Sequence, residues 1–520
     1  MNIFDKLKTN LDFNYEIRDE VDGVCFAAFD IKNILRIFET LFFEIVLITK
    51  DSTFNNDSSR NSEEFITFLL NQGIGSESIT LFVTDDESII NIDKFNSSKW
   101  VWITNKKLVS ILNEKNPKDF FRKEIIKRVP IHTLSPYQIK IAVSGKMFFD
   151  REHELEKVTN LSENFAIFGP RKIGKTSLAK KIKEHYIKNR NYWYGVAKTN
   201  RSFYSVAYVD CDLLNNFQSS EEVLFEYILN SMELLASDYN RSKKIFRKKI
   251  TPLTPYEFLQ KLLETRFRYC TIILDEVDKL LRIDEQQQWA IFQKLRALID
   301  NYRVKFILVG FKDLSYSLNK INFPFFQRLT PLSLGNLDKN SARKLILEPL
   351  DELCVILDHK DEIVDKIYYY TGGLPSLIQA VCSKTIEELY QSKTSAITPE
   401  LIAKVINLVT PLQTLLRYFE MEMEPLAQLL VYFTARDNDG VFRTREFMVY
   451  FKRRARFQLN HKDLMFSLDH LCISNIFQVL ELNEKYSFVI DAFWEIIKRR
   501  ISEYGFETMI KPILAKISVN

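Results

Sequence analysis

At 520 residues the chain exceeds what a single hydrophobic core supports, so several domains are expected. An apolar share of 46% with 41 phenylalanines is enough for folded cores and excludes wholesale disorder. A formal net charge of +4 excludes a bulk electrostatic pull toward nucleic acid, so any such binding has to come from local patches.

In chain order, residues 1–135 alternate β-rich runs ("GVCFAAF", "FEIVLITK", "SITLFVT", "KWVWITN") with helical stretches ("IKNILRIFETLF", "SEEFITFLLNQG"). This pattern predicts an α/β unit of its own with a mostly parallel sheet. The run "ILRIFETLFFEIVLITK" is broken by Arg36, Glu39 and Glu44 and does not read as a membrane span. "TKDSTFNNDSSRNS" reads as a polar loop. Asp85, Asp86 and Glu87 follow a strand, but the spacing of a restriction-type nuclease is missing, so a sensing or partner-binding role is expected for this unit, with an unidentified protein partner. The start "MNIFDKLKTN" has no apolar signal core. Cys25, Cys211, Cys270, Cys354, Cys382 and Cys472 form no C-x-x-C pair. A soluble, reduced, cytoplasmic protein with no membrane partner and no zinc site is the expectation.

A second α/β block covers residues 136–335, with strands expected at "NFAIFG", "SVAYVDCD", "CTIILDE" and "KFILVGF". Its first strand runs into Gly169-Pro170-Arg171-Lys172-Ile173-Gly174-Lys175-Thr176, followed by Ser177 and a helix-friendly pattern. Two of only 13 glycines stand here, in the order strand, tight loop, helix. Such a loop turns successive backbone N–H groups inward to hold phosphate oxygens, and side chains would obstruct the bend at the glycines. Lys175 would neutralise the outer phosphates and the Thr176 hydroxyl would ligate Mg²⁺. The helix that starts there turns its positive end to the same anion.

The partner element is "TIILDEVDKLL", where Asp275 and Glu276 emerge at the C-terminal edge of a buried strand. Asp275 suits the Mg²⁺ shell and Glu276 suits a general base for the attacking water, which favours hydrolysis over phosphoryl transfer to another acceptor. Asp278 reads as a helix-start or surface carboxylate. No guanine-reading N-K-x-D motif is present, so ATP is the expected nucleotide.

"MFFDREHELEKV" before the phosphate loop and "TGGLPSLIQAVC" beyond the core extend the pattern. Together with the two motifs above, they resemble archaeal-type P-loop ATPases, relatives of the STAND signalling NTPases and of origin-recognition initiators within the AAA+ group. The resemblance covers about residues 145–410. It implies a P-loop NTPase core with a parallel sheet and a helical lid (residues 336–412). It also places Phe149, Arg151 and Glu152 near the adenine, and Gly373 and Pro375 in the lid that closes on the nucleotide. Arg328 stands where AAA+ members carry an arginine that reaches a neighbouring subunit's nucleotide; a local ion pair is the alternative. Gly310-Phe311-Lys312 departs from the polar sensor position of the family, which puts γ-phosphate sensing in doubt.

Residues 413–520 read as helices followed by the hairpin "NIFQVLELNEKYSFVI", a C-terminal winged-helix module. Two basic clusters remain: Arg241–Lys249, and Arg443, Arg445, Lys452, Arg453, Arg454 and Arg456 in the C-terminal module. The second would contact DNA phosphates in a salt-sensitive way, or form a solvated face or an internal docking surface. Three functions are therefore carried forward: an ATP-hydrolysing molecular switch with nucleotide-gated change or assembly, a DNA-binding initiator or loader, and a nucleotide-binding scaffold without turnover. A homo-oligomeric state is left open.

Overall fold

The computed structural model describes residues 15–21, 24–29, 43–48, 79–84, 100–137, 147–159, 163–188, 203–214, 220–232, 253–265, 267–394, 396–408, 411–437, 439–454 and 459–517. The helices expected at 31–42 and 62–73, the loop 49–62, Asp85, Asp86, Glu87, the basic cluster 241–249 and Arg456 lie outside the described residues. The chain divides into two units. One comprises Met1–Phe149, Ala342–Ile367 and Ile378–Val409, the other Asp150–Ser341, Tyr368–Leu377 and Thr410–Asn520.

In the first unit, β1 (Tyr15–Val21), β2 (Val24–Phe29), β3 (Phe43–Ile48), β4 (Ile79–Thr84) and β5 (Trp100–Thr104) form one sheet in chain order. β3, β4 and β5 are parallel, but β1–β2 and β2–β3 pair antiparallel. The expectation of a mostly parallel sheet is corrected accordingly. The signal was present: Asp22-Gly23 separates β1 from β2, and an Asp-Gly pair between strand-length runs favours a tight hairpin. β1, "YEIRDEV", carries too many charges to read as a buried strand, whereas an edge strand tolerates them. After β5 the chain turns directly into helix Asn105–Leu112, where the Thr104 hydroxyl accepts the Lys107 N–H at 3.2 Å.

The second unit is built on β6 (Phe165–Phe168), β7 (Phe203–Asp210), β8 (Phe267–Asp275), β9 (Val304–Gly310) and β10 (Thr330–Ser333), in the order β10-β6-β9-β8-β7 with every pair parallel. All seven residues of β9 are buried. A parallel strand covered on both faces reads as a continuous apolar run, which is why "KFILVG" was legible as a strand. β10, with Pro331 inside a four-residue edge strand, was not. Ile272, Leu274, Phe306 and Leu308 from the sheet pack with Leu224, Phe225, Leu259, Phe292 and Leu295 from the helices in one apolar core.

Asp284 is fully buried in this core and accepts the N–H groups of Ile291 and Phe292, both at 2.9 Å, at the start of helix Ala290–Asn301. Two of the four donors that a helix start leaves unpaired are satisfied by one carboxylate. Asp284→Ala is expected to lower unfolding stability by about 2 kcal/mol, read as a lower urea midpoint with an unchanged slope.

A two-residue parallel pair, β11 (Ile356–Leu357) with β12 (Ala396–Ile397), belongs to the first unit. The C-terminal part of the second unit runs helix Pro425–Arg436, β13 (Val441–Arg443), helix Thr444–Arg454, helix His461–Ile473, β14 (Phe477–Glu481) and β15 (Lys485–Phe488), then helices Asp491–Tyr504 and Phe506–Ile517. Its three strands pair in the order β13-β15-β14, all antiparallel, over a core that includes Phe433, Phe442, Phe447, Leu468 and Phe493. Among the described residues, no helix is long and apolar enough to cross a membrane.

Candidate active site

The loop Gly169–Gly174 joins the end of β6 to helix Lys175–Lys188. Gly169, Lys172 and Gly174 have φ of 153°, 61° and 100°. At Gly169 space as well as torsion excludes a side chain, because a Cβ would stand 2.6 Å from the Leu334 carbonyl oxygen. At Gly174 a Cβ would meet nothing within 4 Å, so there the backbone torsion alone requires glycine.

Lys175 is 5% exposed, and its ammonium donates to the carbonyls of Gly169 at 3.0 Å and Pro170 at 2.8 Å. Burial pulls its pKa down, while Glu276, Asp278 and Asp275 pull it back up. β8 delivers Asp275 opposite the loop. Its Oδ2 accepts the Tyr208 hydroxyl at 2.8 Å, its Oδ1 accepts the Glu276 N–H at 3.0 Å, and the Thr176 hydroxyl also bonds to it. Asp275 is 1% exposed, and burial raises its pKa against those hydrogen bonds. Glu276 has φ of 51°, a left-handed conformation that costs a non-glycine residue energy and is found at functional sites. Burial raises its pKa first, and Lys175 opposes that.

Lys175, Thr176, Asp275 and Glu276, singled out from two distant stretches of sequence, thus meet at one edge of the sheet. Pro170 and Ile173 in the loop and Ser177 in the first turn of the helix are buried. Arg171 lies on its outer side, 3.3 Å from Glu422 of helix Pro411–Glu422. β9 lies between β6 and β8 and ends at Gly310-Phe311 beside them. Asp278 opens helix Asp278–Gln286 and also accepts the N–H groups of Phe311 at 2.5 Å, Asp313 at 2.8 Å and Leu314 at 3.2 Å. The acidic strand and the end of β9 are tied together through this one carboxylate. The Phe311 ring sits 5.7 Å from the Lys175 ammonium, 6.5 Å from Tyr418 and 6.4 Å from His470. At the position where sequence reading found a missing polar sensor, an apolar side chain touches both the phosphate loop and the C-terminal helices.

Segment Leu334–Leu337 gathers the remaining motifs. The Leu334 N–H donates to Phe168 at 2.8 Å, closing over the start of the loop. Arg151, 7% exposed with φ of 106°, donates to the Gly335 carbonyl at 2.6 Å and pairs with Glu154 at 3.0 Å. Asn336 donates to Gly372 at 2.6 Å, and the Leu337 N–H donates to Gly373 at 3.0 Å. At Gly373 a Cβ would stand 2.2 Å from the Leu337 carbonyl oxygen. The Gly-Gly turn is therefore held against the same backbone that covers Gly169. Pro375 opens helix Pro375–Ser392, and Phe149, half-buried, ends the first segment of the other unit. Glu152 opens helix Glu152–Thr159. Arg328 is 38% exposed and pairs with Asp300 at 2.5 Å, so it occupies the local ion pair weighed as its alternative.

Tyr208 and Asn336 were not identified from sequence, and Phe311 was read only as a departure from a polar position. Tyr208 lies within an ordinary apolar strand pattern, and the contacts of the other two depend on segments far apart in the chain.

The parallel sheet, the glycine loop and the carboxylates at the sheet edge define a P-loop NTPase. More particularly, residues 148–381 match the family model described as an ATPase domain predominantly from Archaea. None of the curated proteins compared matches the sequence. Among solved structures, the chain is similar to the Aeropyrum pernix ORC2 protein, at 13% identity over 71% of this chain and 95% of that one, with a TM-score of 0.45. It is also similar to the Walker-type ATPase PABY2304 of Pyrococcus abyssi, at 14% identity over 70% and 99%, with a TM-score of 0.46. A third is Drosophila ORC bound to DNA, at 12% identity over 71% and 91%, with a TM-score of 0.37.

Proposed function

We propose that the protein binds and hydrolyses ATP and uses the bound nucleotide to switch the arrangement of its C-terminal module. The observation that carries the reading is the convergence of Lys175, Thr176, Asp275 and Glu276 at the C-terminal edge of a parallel sheet. A phosphate in the loop would offer the Lys175 ammonium a charged acceptor in place of two neutral carbonyls, and charge-assisted hydrogen bonds are about twice as strong. Backbone N–H groups of the loop and of the first helical turn supply the other donors.

Thr176 and Asp275 present hard oxygen donors already within hydrogen-bond reach of each other, a set that fits Mg²⁺. Among the described residues, no group of three or more His, Cys, Asp and Glu side chains could hold a metal ion unaided, so nucleotide oxygens and water would complete the shell. When bound, Mg²⁺ would neutralise charge developing on the phosphate oxygens. Glu276 would accept a proton from the attacking water; burial raises its pKa and Lys175 beside it opposes that rise.

The pH dependence has a definite sign. Glu276 works as a base only when ionised, and its pKa is raised from the ordinary 4.5. Hydrolysis is expected to fall as pH decreases through a value above the usual carboxylate range, while ATP binding persists. A pH–rate profile at saturating ATP checks this, and Glu276→Gln should lack that acid limb. An acid limb shared by wild type and Glu276→Gln would remove Glu276 from the role.

The switch component rests on Phe311, Arg171 and Tyr316. Phe311 bridges Lys175 to Tyr418 and His470, Arg171 pairs with Glu422, and Tyr316 stacks on Phe466 at 4.3 Å. Exposed ion pairs contribute little energy, so the aromatic contacts are the ones that would hold the module in place. We read the order helix, β13, helix, helix, β14, β15 as a winged helix. Duplex DNA remains the second reading, since Arg445, Arg453 and Arg454 are exposed, but the hairpin that would accompany them presents Glu481 and Glu484. The scaffold reading has no use for a raised, strained Glu276 and is set aside.

A further inference from the structure

One cluster in the C-terminal module is not used by the ATPase chemistry. A cleft of about 590 Å³ is lined by Arg436, Arg445, Arg453 and Arg454 together with Tyr450 and a single carboxylate, Glu446. The arginines come from two elements, the last turn of helix Pro425–Arg436 and both ends of helix Thr444–Arg454. Arg436 lies over the rings of Phe433 at 4.6 Å, Phe506 at 5.5 Å and Tyr450 at 5.6 Å, which fixes its guanidinium at the cleft wall. Arg454 lies 5.7 Å from the other side of the same cluster, over Tyr450.

The Tyr450 hydroxyl is buried and has no hydrogen-bond partner among the described residues. A buried donor is normally paired, and the charged groups that act on this one are the Glu507 carboxylate and the Arg454 and Arg436 guanidinium groups. The helix dipole accounts for a basic residue in each last turn, but not for the convergence of four arginines on one cleft or for the unpaired hydroxyl. An oxyanion seated there would accept from Tyr450 and from the arginines at once. Arg453 has no ion pair among the described residues, whereas Arg436, Arg445 and Arg454 pair with Asp437, Glu484 and Glu507.

We propose that this cleft binds the phosphate moiety of a compact phosphate-bearing ligand, at a site separate from the phosphate loop. Its volume falls within the range of small-molecule sites. The carboxylates of Asp437, Glu446, Glu484 and Glu507 around it oppose an extended polyanion such as a duplex backbone but leave room for a single phosphate group.

The test uses the full chain carrying Lys175→Ala, so that the phosphate loop is disabled, with inorganic pyrophosphate as the probe in isothermal titration. One site is expected. Arg453→Gln with Arg454→Gln should weaken it at least tenfold, and Arg453→Lys with Arg454→Lys should restore part of the loss. Tyr450→Phe, which keeps the ring packing, should weaken it by about five- to tenfold. If the arginine pair proves to be needed for folding, the Tyr450→Phe comparison decides alone. No binding, or binding indifferent to Tyr450 and the arginines, overturns the proposal. So does a duplex that binds through these arginines while pyrophosphate does not, which would make the site a nucleic-acid contact. If the phosphate-loop reading itself were wrong, Lys175→Ala and wild type would bind pyrophosphate alike, and the cleft variants would still discriminate.

Discussion

Lys175→Ala is expected to lower ATP affinity by about 10- to 100-fold and hydrolysis by about 100- to 1000-fold. The reason lies in what the ammonium does in the loop. It is buried and donates to Gly169 and Pro170, so it braces the bend from inside as well as offering charge to a phosphate. Alanine removes both, leaving two carbonyl oxygens without that donor and the phosphate without its main cation. Because Lys175 also holds Glu276 toward its ionised form, its loss pushes that carboxylate further up and weakens the base as well. Equilibrium titration with an ATP analogue separates the affinity loss from the rate loss. Intact affinity would show that the loop is not the phosphate site.

Glu276→Gln has a different expected signature. The side chains are nearly isosteric, so the left-handed backbone and the contacts of Asp275 should persist, while the proton acceptor is gone. Hydrolysis is expected to drop by about 100- to 10,000-fold at unchanged or slightly tighter ATP binding. Tighter binding follows from removing a negative charge that faces the phosphates. Single-turnover γ-phosphate release with prebound ATP checks the rate without interference from binding. A variant that hydrolyses at the wild-type rate would exclude Glu276 as the base.

The features legible in the sequence were those carried by consecutive residues. Gly169 to Thr176 and Thr271 to Glu276 each state their chemistry within a single turn or strand, and the strands β6, β8 and β9 are apolar runs because parallel strands are covered on both faces. What sequence did not reveal was made by pairing across distance. β1 is charged because it edges its sheet, so apolar periodicity missed it, although Asp22-Gly23 marked the hairpin. Arg151 was assigned to a nucleotide pocket by resemblance; its guanidinium is bonded to Gly335 and Glu154. Asp278 was read as a helix start and is also the acceptor that fixes the end of β9. Phe311 was noticed only as a departure from a polar position, since no local pattern tells that a ring will bridge Lys175 to His470.

That bridge is where hydrolysis would become a switch. Lys175 cannot turn toward a phosphate without changing its packing on Phe311, and Phe311 is in contact with two residues of the C-terminal module. Asp278 holds the Phe311 backbone by hydrogen bonds, so under the proposed switch a change at the loop would be taken up by the side chains and passed on to Tyr418 and His470.

Hydrogen exchange of Glu276→Gln, compared with and without ATP and Mg²⁺, tests this account most directly, because the variant should hold nucleotide without consuming it. The account predicts slower exchange over residues 169–178 together with altered exchange in helices Pro411–Glu422 and His461–Ile473. Protection of the loop with both helices unchanged would contradict the switch.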